Sequence, residues 1–417
     1  MTAALGRSFD SLRIPNYRRY FAGQLVSLTG NWMQMVAEIW LVLTLTGSGV
    51  AVGVTTALQF VPMLLFGAWG GLLADRVDKR RLMLFTQALH MIVPLSLFGL
   101  ALGGAVRLWM VFALVFLRGA VNAVDYPTRQ SFVIELVGSE RVVNAVSLNS
   151  VLVHSARIVG PAVAGVLIAT LGTYPCFLAN AASFVFMIGV LMTLDTGALR
   201  PAEVAPRERG AVRAALRYVR RTPELAIPLA LMGLVGTLGF NFQAVLPLLA
   251  RLSFDGGPYA YAALVSAMGL GAVIGALING SRGKVSPALL VGASAGFGVL
   301  SLIAATAPSL TYEAIALVPL GAASVIFGAS VNSALQLAAE PSMRGRVMAL
   351  YSVVFLGSTP IGAPIAGYLS EAFDPRVALV MAGVAGLLAA FIARIAFQRA
   401  GRLSGTAIDL GGAAPAG

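Results

Sequence analysis

Long apolar segments, separated by short polar ones, are the feature that most constrains how this chain can fold. Only 11% of its 417 residues are charged and 58% are hydrophobic, whereas a typical soluble domain carries about 25% charged residues. So few charges could not cover a surface exposed to water, and we therefore predict a lipid environment. A membrane-spanning helix needs roughly 20 apolar residues. The chain offers twelve such segments, with predicted bounds 19–45, 49–74, 82–104, 107–128, 142–170, 174–195, 225–250, 258–280, 286–307, 311–338, 346–371 and 376–398.

The distribution of basic residues predicts how these segments are oriented. If the N-terminus lies inside, 24 of the 29 lysines and arginines fall in inner segments, and the outer loops hold only Arg107, Arg251 and Arg376. Because basic residues concentrate in cytoplasmic loops, both termini are predicted to be cytoplasmic. The net charge of +12 is thereby assigned to topology and to contact with membrane lipids, and no nucleic-acid partner is expected.

The sequence carries no signal for enzymatic chemistry. Cys176 is the single cysteine, so no internal disulfide is expected. No glycine-rich loop is followed by a lysine, and no group of Cys, His and acidic residues has the spacing of metal ligands. We therefore expect no cofactor, no metal and no enzyme. The first predicted span is too long and too polar for a cleavable signal peptide and is expected to stay.

A charged hairpin over residues 71–81 separates the second and third predicted spans. Its Gly71 would let a neighbouring helix approach closely, and Asp75 is an acid at the edge of a basic turn. A basic loop that follows the positive-inside rule would explain the arginines, but not this acid. We expect a cytoplasmic gate formed by Gly71, Asp75, Arg76, Arg80, Asp125 and Arg129.

The two halves of the chain resemble each other. Residues 159–167 of the fifth predicted span align with residues 361–369 of the eleventh. An arginine-rich segment between the halves contains an amphipathic helix over 211–221, which is expected to lie on the cytoplasmic leaflet. The predicted organisation is an N-terminal six-helix bundle, a cytoplasmic amphipathic linker, a C-terminal six-helix bundle and a disordered tail, over residues 1–196, 197–224, 225–400 and 401–417.

These motifs resemble those of the major facilitator superfamily. The hairpin is similar to that superfamily's loop between helices 2 and 3, except that Asp78 stands where glycine is usual. Within the superfamily the chain looks most like the enterobactin-exporter-like branch, the transmembrane secretion effectors, in four stretches at residues 16–24, 74–81, 125–132 and 144–150. The resemblance implies an all-α membrane protein of twelve transmembrane helices, with two six-helix bundles related by a pseudo-twofold axis. It also implies a bacterial inner-membrane location and efflux of siderophores, drugs or other bulky small molecules.

One stretch of the fifth span resembles the superfamily's antiporter motif. It contains Gly160, Pro161 and Gly165, with Ala164 in place of one glycine of the motif. Pro161 removes a backbone donor and lets the helix bend, and the two glycines permit close packing. The motif is associated with exporters, so the resemblance favours export. A kink that serves packing alone is the alternative.

Ionisable residues deep in the predicted spans are expensive in hydrocarbon and therefore suggest function. Glu38 is the candidate proton-coupling acid, with a carboxyl held permanently by a partner on the fifth or seventh span as the alternative. Arg118 matches an arginine that the superfamily associates with proton transfer. The alternative is a purely structural role, in which Arg118 bonds to backbone carbonyls. Arg157 and His154 share a helix face and are further coupling candidates. The alternative for Arg157 is a static ion pair, and the alternative for His154 is a packing role.

A substrate path near the midplane would be lined by the first, fourth, seventh and tenth spans. Gly236 and Gly239 predict a bent seventh span. Polar and aromatic side chains on these spans are candidate substrate contacts, although an aromatic residue there more often serves packing. The candidates are Trp32, Gln34, Asn122, Phe240, Asn241, Gln243 and Asn332.

The leading hypothesis is a monomeric exporter that exchanges protons for an amphiphilic small molecule by alternating access. An uptake transporter or a lysophospholipid-flipping transporter on the same fold is one alternative. A membrane scaffold or sensor that transports nothing is another, although such a chain would have no reason to keep its buried charges and Asp75.

Overall fold

The computed structural model describes residues 10–200, 211–281 and 286–399, and within these ranges the chain is helical with no strand. The helices are α1 (Pro15–Thr46), α2 (Gly49–Arg76), α3 (Lys79–Leu102), α4 (Leu108–Val137), α5 (Val142–Leu171), α6 (Tyr174–Met192), α7 (Ala211–Arg221), α8 (Pro223–Gly239), α9 (Phe242–Leu248), α10 (Pro258–Ser281), α11 (Pro287–Ala305), α12 (Leu310–Ala338), α13 (Pro341–Ala372) and α14 (Pro375–Arg399).

Eleven segments of the described chain are long and apolar enough to cross a membrane. Helix α1 is not among them, although it has 32 residues. The reason lies in its polar side chains, because Gln24, Gln34 and Glu38 interrupt the apolar run and are all buried inside the protein. A helix whose polar groups face protein can still border lipid on its other side. The twelfth span therefore stays a prediction.

Local sequence explains where several helices begin and end. Helix α1 ends at Gly47, whose φ of 65° is the left-handed conformation that glycine adopts without strain. Ser48 caps the start of α2 by accepting a bond from the Ala51 amide. Asp78 does the same for α3, with a 2.7 Å bond from the Arg81 amide to its carboxylate. The residue that departs from the superfamily pattern is thus a helix cap.

The chain divides into two compact units. Unit 1 comprises Met1–Pro206 with Gly256–Ser266, and unit 2 comprises Arg207–Asp255 with Ala267–Gly417. In unit 1, α1 packs on α5 and α6, α2 on α4, and α3 on α6. In unit 2, α8 packs on α13 and α14, and α11 packs on α14. The order of partners is the same in both units when the first, third, fifth and sixth helices of each half are matched.

Glycines allow close helix crossings within each unit. In unit 1, a Cβ on Gly160 would lie 2.8 Å from the Thr29 carbonyl oxygen of α1. In unit 2, Gly362 of α13 meets the Thr237 carbonyl of α8 in the same way. Gly160 and Gly362 occupy matching positions in the alignment of the halves, so the repeated sequence corresponds to a repeated crossing. Small residues permit such close backbone approach in membrane helices.

Two predicted features of the central region are present. The seventh predicted span is broken, since α8 ends at Gly239 and α9 begins at Phe242, which confirms the bend. The amphipathic helix α7 buries Ala215 and Val219 against the other helices of unit 2 and exposes its last arginines. Residues 201–210 of the predicted linker and the predicted tail at 401–417 lie outside the described residues.

Candidate functional site

A buried ion pair links α1 to α4 within unit 1. Arg118 Nη2 donates to Glu38 Oε2 over 2.6 Å. Glu38 is completely buried and Arg118 is 7% exposed. Replacing one member of such a pair strands the other charge without compensation and typically destabilises a protein by about 3–5 kcal/mol. The two charges therefore depend on each other for their place in the bundle.

Amide and hydroxyl groups extend this pair across to α6. Gln34, one turn before Glu38, donates from Nε2 to Glu38 Oε1 over 2.6 Å. The side-chain oxygen of Gln34 accepts a bond from the Asn180 amide of α6, and Ser183 donates to Asn180 Oδ1 over 2.8 Å. Gly30 makes room for the last two groups, since a side chain there would collide with both. The result is a continuous polar chain from α4 through α1 to α6.

The partners of Glu38 and Arg118 differ from two sequence-based alternatives. The expected static partner of Glu38 lay on the fifth or seventh span, whereas the observed partner is on the fourth. Arg118 was expected, under its structural alternative, to bind backbone carbonyls, whereas it binds a carboxylate and its buried Nε has no hydrogen-bond partner in the described chain. The Glu38 carboxylate lies between Arg118 of α4 and the Gln34 amide of α1, and helical periodicity in the sequence does not indicate the partner on α4.

A second buried polar cluster lies around Asp125 of α4. Asp125 pairs with Arg129, one turn further along the same helix. From α3, Thr86 and Gln87 donate to Asp125 Oδ1 over 2.6 and 2.9 Å. Arg129 also donates to Gln24 of α1 over 2.6 Å. Two of the predicted gate residues are thus brought together, and they tie α1, α3 and α4 to one another.

His90 borders this second cluster without a hydrogen bond. Its ring stacks on Phe184 with centroids 5.5 Å apart, and its Nε2 lies 3.9 Å from Asp125 Oδ2. Neither ring nitrogen has a hydrogen-bond partner among the described residues. Because the Asp125 carboxylate is already bonded to Arg129, Thr86 and Gln87, the imidazole packs beside it.

The remaining gate candidates lie along the hairpin between α2 and α3. Gly71 is buried, Asp75 is half-buried at the end of α2, and Arg76 is exposed. Arg80 donates to the carbonyls of Leu191 and Met192, over 2.7 and 3.0 Å. Cations at a helix C-terminus satisfy its last carbonyls and complement its dipole, so Arg80 holds the end of α6. The gating role of these residues stays a prediction.

Arg157 and His154 lie on α5, apart from any described acid. The Arg157 guanidinium lies 5.5 Å from the ring centroid of Trp32, which is a cation–π contact. Within the described ranges Arg157 forms no ion pair with an acidic side chain, so the static ion pair considered for it has no partner there. Nδ1 of His154 is buried without a hydrogen-bond partner in the described chain. Trp32, which is predicted to contact substrate, therefore contacts the guanidinium of Arg157.

The other predicted substrate contacts have mixed environments. Asn122 lies half-buried on α4, one turn from Arg118. In unit 2, Phe240 packs edge-on against Phe297 and Phe327, as the packing alternative proposes. Asn241 donates to the Thr237 carbonyl, while its Oδ1 and Gln243 Oε1 are buried without described partners. Asn332 of α12 accepts a 2.6 Å bond from Gln336.

Several buried polar residues were not predicted from the sequence, among them Asn180 and Glu313. Asn180 completes the polar chain of unit 1, and an amide within the apolar sixth span was the available signal. Glu313 lies in the first turn of α12, is fully buried, and has no hydrogen-bond partner on either carboxyl oxygen in the described chain. An acid so near the start of the predicted span 311–338 is typical of the membrane interface. The sequence therefore did not predict that Glu313 is buried.

The fold places the protein in a class. Over 94% of this chain and 99% of the other, it aligns with the crystal structure of a bacterial homologue of the human lysosomal transporter Spinster, in its inward-facing and unoccupied conformation. The TM-score is 0.72 at 15% sequence identity, so this likeness concerns the fold. Together with eleven segments that are long and apolar enough to cross a membrane, it defines an all-helical, multi-pass membrane fold.

Sequence relatives narrow that class. The staphyloferrin A transporter of Staphylococcus aureus is 26% identical over 260 residues, which cover 62% of this chain and 65% of that protein. The enterobactin exporter EntS of Citrobacter koseri is 27% identical over 387 residues, covering 90% of this chain and 91% of that protein. The family model described as transmembrane secretion effector matches residues 7–402. The chain belongs to this family, which confirms the predicted resemblance and its assignment as a transporter rather than an enzyme.

Proposed function

We propose that this protein exports an amphiphilic small molecule, such as a drug or a siderophore, across the bacterial inner membrane in exchange for protons. The observation that carries the proposal is the buried pair of Glu38 and Arg118 inside apolar helices. Ionisable residues at such positions are expensive and mark ion or substrate pathways in membrane proteins.

Coupling would work through the separation of that pair. While Arg118 bonds to Glu38, the carboxylate is compensated and carries no proton. If α1 and α4 shift so that the pair opens, the carboxylate is left in an apolar environment. There the free energy of a neutral acid is much lower than that of an unpaired charge. Glu38 then takes up a proton, and re-forming the pair releases it. Trp32, Gln34 and Asn122 lie on the same two helices, and are proposed to contact cargo where this rearrangement occurs.

Alternating access is the proposed cycle. Two six-helix bundles, with α1 as a twelfth span and both termini cytoplasmic, would rock about a pseudo-twofold axis around a central path. The repeated order of helix partners in units 1 and 2 supports this arrangement. The second bundle is proposed to line the substrate path with Phe240, Asn241, Gln243 and Asn332. In the first bundle, the cluster of Asp125 and Arg129 is proposed to form part of the inner gate.

Export is the favoured direction for two reasons. The stretch from Gly160 to Gly165 resembles an antiporter motif, and at Gly160 α5 packs closely on α1. A relative that aligns over nine tenths of the chain is named an enterobactin exporter. A rearrangement at this crossing would move α1, which carries Glu38, relative to α5, which carries Arg157.

The test is transport in a pump-deficient bacterium that expresses the full chain. Accumulation of a panel of drugs and siderophores is measured with and without a protonophore. We expect lower accumulation of at least one compound, and loss of this effect with the protonophore or with Glu38→Gln. Glu140→Gln is the matched control, because it makes the same change at an exposed acid.

Two results would contradict the proposal. Unchanged accumulation across the whole panel would argue against export. Full proton-driven transport by the Glu38→Gln variant would remove Glu38 as the coupling acid. Inside-out membrane vesicles decide direction, because an exporter loads them with cargo when the vesicle interior is acidified, whereas an importer empties them.

A further inference from the structure

We propose that unit 2 binds an anionic phospholipid in a groove between α7, α8 and α14. The groove is a cavity of about 610 Å³, which is in the range of small-molecule sites. Two arginines, Arg220 of α7 and Arg399 of α14, lie at it, and its other lining residues are apolar. The site would bind lipid whatever the cargo or the direction of transport.

Charge and apolar surface are separated along the groove as they are along a phospholipid. Arg399 is the last residue of α14, and Phe391 lies eight residues earlier on the same helix, which is about 12 Å along the axis at 1.5 Å per residue. Phe391 is 62% exposed and lies in a segment apolar enough to span a membrane. Arginine at the end of a span and apolar side chains deeper in it match a headgroup at the interface and an acyl chain below it.

The arginines favour a lipid with net negative charge. Neither Arg220 nor Arg399 forms an ion pair with an acidic side chain within residues 10–200, 211–281 and 286–399. Two guanidiniums at one site attract the phosphate of an anionic lipid, whereas the ammonium group of a zwitterionic headgroup would be repelled. Basic pockets between helices at the inner membrane surface bind anionic headgroups by this chemistry.

The experiment is native mass spectrometry of the full chain, purified in detergent and incubated with phosphatidylglycerol or with phosphatidylcholine. We expect retained phosphatidylglycerol and little phosphatidylcholine. Each arginine near an anionic surface contributes about a fivefold preference, so the double variant Arg220→Gln with Arg399→Gln should lose roughly 25-fold in lipid retention. Arg221→Gln is the control, because it removes the same charge from the same helix but does not line this groove.

Several outcomes would overturn the proposal. They are equal retention of the two lipids, undiminished retention by the double variant, displacement of the lipid by inorganic phosphate alone, and a protein dimer in place of bound lipid. Should the double variant fail to fold, Phe391→Trp answers the same question. Its added fluorescence should be quenched more by brominated phosphatidylglycerol than by brominated phosphatidylcholine, and equal quenching would contradict the site.

Discussion

Replacing Arg118 by methionine tests the central ion pair most directly. The substitution removes a guanidinium that lies 2.6 Å from the fully buried carboxylate of Glu38 and keeps most of the apolar stem. Within the described residues, only the Gln34 amide would then remain as a hydrogen-bond donor to that carboxylate. Two unit charges about 4 Å apart interact by about 4 kcal/mol at an effective dielectric constant of 20. Measured losses for breaking buried pairs are of the same size, about 3–5 kcal/mol.

Such a loss should be easy to measure as thermal unfolding of the protein in detergent. For a unit of some 150–250 residues, 1 kcal/mol lowers the melting temperature by about 2–4 °C, so Arg118→Met should lower it by roughly 6–20 °C. Arg107→Met is the matched control, because Arg107 is exposed in the loop before α4, and it should shift the melting temperature by less than about 2 °C.

The double variant Glu38→Gln with Arg118→Met distinguishes electrostatics from packing. A neutral amide at position 38 leaves no uncompensated charge, so most of the stability lost in Arg118→Met should return. If Arg118→Met is no less stable than Arg107→Met, or if the double variant is as unstable as Arg118→Met, the pair does not compensate a buried charge and the coupling mechanism loses its basis.

Two further predictions concern helix crossings and caps, and both are measured by the same thermal unfolding. Gly160→Ala places a methyl group 2.6 Å from Trp32 Cβ and should destabilise unit 1 by about 1–3 kcal/mol, whereas Gly189→Ala in open space on α6 should be neutral or stabilising by up to about 1 kcal/mol. An equal effect of the two substitutions would mean that α1 and α5 do not cross tightly at Gly160. Asp78→Ala removes the cap of α3 and should cost about 0.5–2 kcal/mol, but Asp78→Gly only a few tenths. A loss as large for glycine as for alanine would show that Asp78 acts otherwise than as a cap.

The sequence by itself determined the features that depend on neighbouring residues. Length and apolar composition predict membrane helices, because the bilayer fixes both. Gly236 and Gly239 predict the break before Phe242, and the arginine stripe predicts α7, because backbone freedom and amphipathic periodicity are local properties. The alignment of residues 159–167 with 361–369 likewise predicts a repeat between the two halves, because a shared residue pattern is visible in the sequence itself.

Only the tertiary structure decided which buried polar groups meet. Periodicity shows that Glu38 and Gln34 share a face of α1, but not that Arg118 of α4 and Asn180 of α6 lie opposite that face. It likewise leaves open whether Arg157 meets an acid or the ring of Trp32. The physical reason is that a helix sequence fixes the direction of its own side chains, whereas their partners depend on how separate helices pack.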